Sequence, residues 1–436
     1  MSAAEPPQER PLDPEALLAP LAGRKGLVLA VSGGPDSTAL MLLAARWAGR
    51  PPLLVVSVDH GLRPESADEV RVVAANAERL GIACRIVRPD APPLRGNRQA
   101  AARAARYRCL AAAAHEAGCD TIVTAHHQDD QAETLLIRLA RGSGVYGLAA
   151  MAPEVEVEGL RLARPLLGVP GAALKRLAEA SGLPLVHDPS NEDRRYDRVR
   201  IRALMPALAA EGLTPERLAE TAERLRSAAE ALEVVASALL AEHVAVDALG
   251  VARGRVARFL EAHPEIGLRA LARLLQAVGG TEYTPRFDRL QSLHASLAEA
   301  AGGARPARRT FNNVLLTVAC GRFTAEREWG RGLPHRPLLA GEVVVWDGRF
   351  RVEAPEEPGL EVGPLAEAGH ALSSGQAGLM ALPAIYRGDR LAAVPDIAGL
   401  PSFVDAVASF EARCLVAERL AEPRMLSGLP PPEPRP

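Results

Sequence analysis

Apolar runs alternate with helical stretches between Gly26 and Arg141, and this alternation constrains the fold more than any other feature of the sequence. The runs are short and rich in Val, Ile, Leu and Ala, which predicts strands, and each precedes a longer stretch that predicts a helix. The predicted strands are Gly26–Val31, Leu53–Val58, Ala83–Val87 and Thr121–Thr124, and the predicted helices are Thr38–Trp47, Glu65–Leu80, Ala100–Ala117 and Gln131–Arg141. Four such repeats predict an α/β domain with a doubly wound parallel sheet. Ligands of such sheets bind at the carboxyl ends of the strands, so polar residues that follow a strand are site candidates.

The rest of the chain changes composition twice. Past Gly182 it is rich in Ala, Leu, Arg and Glu, and beyond Trp329 it gains Val, Gly and Pro. We therefore predict a helical domain and then a small α+β carboxyl-terminal domain, in which residues 346–350 and 386–390 form hairpin turns. The predicted segments are an amino-terminal extension at 1–20, the α/β domain at 21–212, the helical domain at 213–328, the third domain at 329–426 and a Pro-rich tail at 427–436.

Composition excludes several classes of protein. Hydrophobic residues make up 48% and charged residues 24% of the 436 residues, as in an ordinary globular protein. The five cysteines form no C-x-x-C pair, which argues against a zinc knuckle or an iron–sulfur cluster. No apolar run approaches a membrane span, and the first residues lack a secretion signal. We expect a soluble, cytoplasmic protein with no membrane partner, and a homodimer is one arrangement that the sequence leaves open.

The loop Ser32-Gly33-Gly34-Pro35-Asp36-Ser37 follows the first predicted strand. Two glycines and a helix amino terminus can turn several N–H groups toward one point, which makes a nest for phosphate. Ser32 and Ser37 can donate hydroxyl hydrogen bonds, and Asp36 can hold a Mg²⁺ ion that bridges phosphates. No Gly-Lys-Ser/Thr follows, so this is not the loop that grips a transferred γ-phosphate. The predicted ATP-binding residues are this loop together with Asp59 and His60 after the second strand; the alternative is a Gly-rich turn capped by Asp36.

Carboxylates follow the fourth predicted strand. If Gln131 starts the next helix, Asp130 and Glu133 lie in its first turn, where the helix dipole stabilises negative charge. This pair suits a substrate ammonium, and a plain capping box is the alternative. His126 and His127 follow the same strand and are candidate proton acceptors, although a histidine in that place more often bonds to the nucleotide or to a loop.

Arginine supplies nearly all the positive charge, since only Lys25 and Lys175 of the 51 basic residues are lysines. Arginine favours bidentate contacts with phosphate. Arg103 and Arg106 share a helix face and are candidates to contact an anionic intermediate, or else form a solvated basic face. Five arginines within nine residues suit a phosphate backbone, or a helix face ion-paired with Glu192, Asp193 and Asp197: they are Arg194, Arg195, Arg198, Arg200 and Arg202. A weaker signal extends this phosphate track to Arg269, Arg273, Arg305, Arg308 and Arg309.

The Ser32–Ser37 loop resembles the PP-loop of the N-type ATP pyrophosphatases, which cleave ATP between its α and β phosphates. Four further segments occur in the expected order and resemble the tRNA(Ile)-lysidine synthase family: residues 58–63, 126–134, 141–148 and 188–191. The chain departs from the family at Gln99, where a Glu is usual, and at residues 197–200, where Arg-Asn often precedes the next arginine.

The resemblance implies a ligase with ATP as co-substrate, Mg²⁺ as cofactor, and L-lysine and the CAU-anticodon tRNA(Ile) as partners. It implies that Asp130 and Glu133 bind lysine and that the arginines at 194–202 bind tRNA. The catalytic set it implies is Asp36, Asp130, Glu133, Arg106 and His126.

Three other functions remain open from the sequence. A tRNA thiolase of the same ATPase class usually needs paired cysteines. An amidotransferase-type synthetase needs an ammonia source. An inert RNA-binding adaptor would keep the fold without needing the acids of the site.

Overall fold

The computed structural model describes residues 11–59, 61, 65–89, 98–187, 195, 197–281, 285–303, 305–330, 332–365, 378–397 and 408–421. The chain forms two compact units, and the division falls between Ala229 and Glu230, inside one long helix. We call residues up to Ala229 the first unit and residues Glu230–Arg424 the second unit. Each unit is described by itself below.

A six-stranded sheet organises the first unit. Its strand order is β3-β2-β1-β4-β6-β5, in which β5 alone runs antiparallel to its neighbour. The strands are β1 Leu27–Ala30, β2 Leu53–Val58, β3 Ala83–Val87, β4 Thr121–Val123, β5 Glu154–Val157 and β6 Leu160–Ala163. Chain order reverses between β1 and β4, and in such sheets a crevice for ligands opens at that point.

Helices cover both faces of this sheet. They are α1 Pro14–Leu18, α2 Pro35–Arg46, α3 Ser66–Arg79, α4 Arg98–Glu116, α5 Gln128–Ala140, α6 Val145–Leu148, α7 Gly171–Ala180, α8 Asp197–Ala210 and the start of α9 Pro215–His243. Leu29 and Leu40 belong to the core on one face, and Val28 and Leu110 belong to the core on the other. The buried, Val- and Leu-rich strands are those expected of a sheet covered on both sides.

The four predicted strand–helix repeats are confirmed. The predicted start of the fourth helix at Gln131 is wrong, because α5 begins at Gln128 with His127 as its N-cap. The N-cap backbone N–H donates to Asp130 Oδ2 at 3.1 Å, so the carboxylate that the sequence placed before the helix closes its first turn.

An antiparallel sheet that the sequence analysis did not predict lies within the second unit, together with its helices. The strand order is β7-β8-β11-β10-β9. The elements are β7 Val244–Val246, β8 Ala252–Arg255, α10 Val256–Glu261, α11 Pro264–Gly279, α12 Phe287–Ala301, β9 Ala307–Phe311, β10 Val314–Ala319 and β11 Arg322–Arg327. Leu271 and Leu275 of α11 share one core with Val314 and Val318 of β10, so sheet and helices fold together.

The end of the second unit is β-rich. One sheet has the order β12-β15-β16-β17-β18 and a smaller one β13-β14-β19. The elements are β12 Arg336–Leu338, β13 Val343–Trp346, β14 Phe350–Glu353, β15 Leu360–Pro364, β16 Pro383–Arg387, β17 Arg390–Pro395, β18 Ala408–Phe410, β19 Ala412–Cys414 and α13 Val416–Ala421. Both predicted hairpins are confirmed, between β13 and β14 and between β16 and β17. Within the described ranges, no helix has the length and apolarity to cross a membrane.

Candidate active site

The candidate site lies along the carboxyl edge of the parallel strands in the first unit. The Ser32–Ser37 loop follows β1, Asp59 follows β2, and the His126-His127 pair follows β4. Because these strands are neighbours in the sheet, the loops after them gather at one edge, as expected from the sequence.

The Ser32–Ser37 loop forms a nest at the start of α2. Gly33 has a φ of +86°, and a Cβ there would lie 2.6 Å from Val186 Cγ2, so only glycine fits. Ser37 Oγ donates to Gly34 O at 3.0 Å and accepts from Ser32 N–H at 3.2 Å, which ties the loop to the helix. The Gly34 side of the loop is open, with Ser32 Oγ at 3.9 Å as the nearest atom to a built Cβ. The loop thus packs against Val186 at Gly33 and is open at Gly34, which leaves space for a phosphate.

Asp59 is buried, and both of its carboxylate oxygens accept hydrogen bonds. Oδ1 accepts from Gly61 N–H at 2.9 Å and from Ser66 Oγ at 2.7 Å, and Oδ2 accepts from Arg88. The hydrogen bonds from Ser66 and Arg88 lower the pKa of Asp59 to about 2, so it is ionised. Direct binding of ATP by Asp59 stays a prediction, and its bonds show that it shapes the loop after β2.

His127 lies among three carboxylates. Its Nε2 atom is 3.6 Å from Asp36 Oδ2 and 3.5 Å from Asp130 Oδ2, and its Nδ1 atom is 3.3 Å from Asp129 Oδ2. Burial opposes protonation, but the carboxylates of Asp129 and Asp36 outweigh it and raise the pKa of His127 to about 10. His127 is therefore an imidazolium that joins the Asp36 loop to the start of α5, and it is not poised to accept a proton.

His126 has the opposite electrostatic environment. Its Nδ1 atom is 2.8 Å from Thr124 Oγ1. Burial first, and then the nearby Arg164, Arg198 and Arg103, lower the pKa of His126 well below its usual 6.5. The two adjacent histidines thus carry different charges at neutral pH, because one side chain meets acids and the other meets arginines.

The acids of α5 meet the arginines of α8. Glu133 is 1% exposed, and its Oε1 accepts from Arg202 Nε at 2.7 Å. Its Oε2 is buried without a hydrogen-bond partner, and desolvation raises the pKa of Glu133 despite Arg202. Asp130 Oδ1 lies 3.9 Å from Arg198 Nη1. The structure therefore brings the predicted lysine-binding pair and two of the predicted tRNA-binding arginines into one cluster.

The comparisons with known proteins agree on the class of this site. The profile of the PP-loop domain family matches residues 11–208. A tRNA(Ile)-lysidine synthase of Methylobacterium sp. (strain 4-46) is 46% identical over 327 residues, covering 72% of this chain and 94% of that protein. The tRNA(Ile)-lysidine synthase of Ruegeria pomeroyi is 39% identical over 387 residues, covering 86% of this chain and 89% of that protein.

The chain belongs to the tRNA(Ile)-lysidine synthase family.

Among solved structures, a U34-tRNA thiolase from Methanococcus maripaludis has a TM-score of 0.42 and 19% identity, covering 49% of this chain and 77% of that one. Membership of a tRNA(Ile)-lysidine synthase family with a PP-loop domain means that the chain is an ATP-using ligase, as the resemblance implied.

Some predicted site residues lie outside the described part of the chain, and others contact neighbouring side chains. His60, Arg194 and residues 188–191 lie outside the described residues. Arg195 is exposed, and Arg200 pairs with Asp197. Arg106 is half-buried on α4, where its neighbour Arg103 turns toward Tyr107 with its guanidinium carbon 5.2 Å from the ring centre.

The proposed extension of the phosphate track to Arg269 and Arg273 is wrong. Both are buried in the second unit, at 6% and 4% exposure, and both pair with Glu233. The distances are 2.5 Å from Arg269 Nε and 3.2 Å from Arg273 Nη1 to the two carboxylate oxygens. Arg269 and Arg273 are four residues apart on α11 and lie on its buried face. Their spacing alone does not distinguish this face from an exposed basic one. Arg305, Arg308 and Arg309 are exposed, so they stay predictions.

Sequence reasoning missed three polar side chains that hold the backbone of residues 150–152. Gln131 donates to and accepts from the Met151 backbone, both at 2.8 Å. Arg138 donates to Ala150 O at 2.9 Å, and Arg164 donates to Ala152 O at 2.7 Å. The one signal for Arg164 was its place directly after a strand. Among the residues that the structure describes, no three or more His, Cys, Asp or Glu side chains are arranged so that together they could hold a metal ion.

Proposed function

We propose that this chain ligates free lysine to C2 of the wobble cytidine in the CAU-anticodon isoleucine tRNA and so forms lysidine. ATP adenylates the C2 oxygen of the base and releases pyrophosphate, and the ε-amine of lysine then displaces AMP. The buried Oε2 of Glu133 carries the proposal, because it has no hydrogen-bond partner among the described residues and an ammonium can supply the missing donor.

The Ser32–Ser37 loop holds the phosphates of ATP. Its N–H groups and the amino terminus of α2 favour the negative charge that grows on the departing pyrophosphate. The protonated His127 keeps Asp36 against the start of α5, so that the nest and the acidic residues keep one geometry during the reaction.

The residues present fit a magnesium ion at Asp36. The Asp36 side chain is 41% exposed at the mouth of the nest, and Asp130 lies against the same nitrogen of His127. Mg²⁺ prefers one or two carboxylates together with phosphate oxygens, which is the donor set that Asp36 and ATP offer. The ion supplies charge neutralisation on the phosphates when bound.

Glu133 and Asp130 hold the ammonium of lysine. Glu133 Oε2 needs a donor, and its raised pKa makes it a better proton acceptor than an exposed carboxylate. We assign the proton of the attacking amine to Glu133 Oε2. His126 is neutral but weakly basic, because its pKa lies well below 6.5, and we assign it to hydrogen-bond the bound nucleotide.

The arginines of α8 and α4 contact the tRNA. The side chains of Arg198 and Arg202 are 39% and 54% exposed although each lies near a carboxylate. Each therefore keeps N–H donors that can reach a phosphate in solvent. Arg106 lies near His126 and contacts the negative charge of the adenylated intermediate.

The test is AMP release from ATP with a CAU-anticodon tRNA transcript and lysine. Asp36→Ala should abolish it while the fold is retained, and Asp68→Ala is the matched control, since Asp68 is 76% exposed on α3 and pairs only with Arg71 among the described residues. Turnover by the Asp36 variant equal to that of the control would refute the role of Asp36 and of its loop.

The tRNA thiolase remains the alternative within the same class. It predicts AMP release without lysine and sulfur on the base, so the mass of the product distinguishes the two. The homodimer stays a prediction, which the mass of the protein in solution checks.

A further inference from the structure

Arg164, directly after β6, presents buried donors without a hydrogen-bond partner. The residue is 1% exposed, and its Nη1 donates to Ala152 O at 2.7 Å. Its Nε and Nη2 atoms have no partner at hydrogen-bond geometry, and neither does Arg103 Nε. The Tyr107 hydroxyl lies close enough to favour the charged form of Arg164, and the other neighbours that most affect it are Arg103 and Arg138. No carboxylate is among them.

The unused donors form one edge of the guanidinium. The N–H groups of Nε and Nη2 point the same way and match the two oxygens of a carboxylate or a phosphate. A buried cation without a counter-ion is costly, and burial accordingly lowers the pKa of Arg164 to about 10. This edge, which we call the Arg164 fork, is therefore built for an oxyanion.

The Arg164 guanidinium lies near His126, the residue before the N-cap of α5, and after burial its charge is the largest of the causes that lower the pKa of His126. Gln131 bonds to the backbone of Met151, and Arg164 bonds to the next residue, Ala152. Adjacent Cα atoms are about 3.8 Å apart, so a single peptide unit separates the two anchoring points. Gln131 itself is the residue after Asp130 on α5, and Glu133 is two residues further.

We propose that the Arg164 fork binds the α-carboxylate of the lysine whose ammonium Asp130 and Glu133 hold. This inference rests on the proposed function and extends it to the other end of the amino acid. The acid pair and the fork have the opposite charges of the two ends of lysine. A small free molecule can be enclosed at a fully buried guanidinium, whereas an RNA phosphate stays attached to a chain that must remain outside.

Substrate analogues test the fork without altering the protein. In the AMP-release assay with the CAU-anticodon transcript, lysine is compared with lysinamide, which keeps both amines and lacks the carboxylate. We expect wild type to favour lysine by about 10- to 100-fold in kcat/KM, the size of one charge-assisted contact. Equal use of lysine and lysinamide by wild type would overturn the proposal.

Variants then assign the preference to Arg164. Arg164→Gln and Arg164→Lys should bring the lysine-to-lysinamide ratio close to one, because neither side chain has the fork, while KM for ATP stays as in wild type. Arg161→Gln is the matched control, since Arg161 is 59% exposed on β6. A ratio that persists in Arg164→Lys, which keeps the charge and the fold, would refute the fork, and so would a change in KM for ATP alone, since that points to a phosphate ligand. Wild type that forms no lysine adduct would refute the proposed function itself.

Discussion

Replacing His127 with Gln removes the imidazolium that joins the Asp36 loop to α5. The pKa of His127 rises from its ordinary 6.5 to about 10 in the fold. Each factor of ten in proton affinity is worth about 1.36 kcal/mol, so the charged form stabilises the first unit by roughly 5 kcal/mol. Because the folded-state pKa is raised, this stabilisation is complete below pH 6.5 and is lost as the pH rises through 10. Between pH 6 and pH 9.5 wild type should lose about 4 kcal/mol that His127→Gln never had.

The free energy of unfolding is measured by urea titration at both pH values, with hydrogen exchange of peptides from α5 as the signal for the first unit. Two units need not unfold together, so a signal restricted to one of them is required. His115→Gln is the control, because His115 is exposed on α4. His127→Gln with the stability and the pH dependence of wild type would refute the reasoning.

Three further changes test other parts of the structure. Glu133→Gln should raise KM for lysine by about 10- to 100-fold and leave KM for ATP unchanged, because a neutral amide cannot balance an ammonium. Asp59→Asn should raise KM for ATP, since the loop after β2 loses an acceptor that is ionised down to a pH of about 2. Arg269→Met should destabilise the second unit by about 1.5–3 kcal/mol, because Glu233 loses one buried charge-assisted hydrogen bond and keeps Arg273, without weakening tRNA binding by the folded protein.

For each of these variants, one result would contradict the expected effect. Equal KM values for lysine in Glu133→Gln and wild type would remove Glu133 from the lysine site. An unchanged KM for ATP in Asp59→Asn would separate the loop after β2 from the nucleotide. Arg308→Met is the exposed counterpart of Arg269→Met, and a larger loss of tRNA affinity in the buried variant than in the exposed one would restore the rejected phosphate track.

Local signals were sufficient for the nest and for the acids of α5. Ser32, Gly34 and Ser37 bond to one another within six consecutive residues, so their arrangement follows from the loop itself. Asp130 and Glu133 are one helical turn apart, and an error of three residues in the start of α5 left them on one side of the helix.

Contacts between distant segments escaped the sequence analysis. Arg202 and Glu133 are far apart along the chain, and nothing in either segment predicts their pairing. The charges of His126 and His127 differ because the sheet places arginines beside one and carboxylates beside the other. Similarly, β8 and β9 carry exposed arginines and little apolar sequence, so these strands become recognisable only through their pairing with β10 and β11.

The most direct measurement is mass analysis of the wobble nucleoside after reaction of the CAU-anticodon transcript with ATP, with lysine supplied or omitted. We expect a cytidine heavier by one lysine less one water, formed together with AMP and only when lysine is present. AMP release with an unmodified or a sulfur-bearing cytidine, whether or not lysine is supplied, would contradict this expectation.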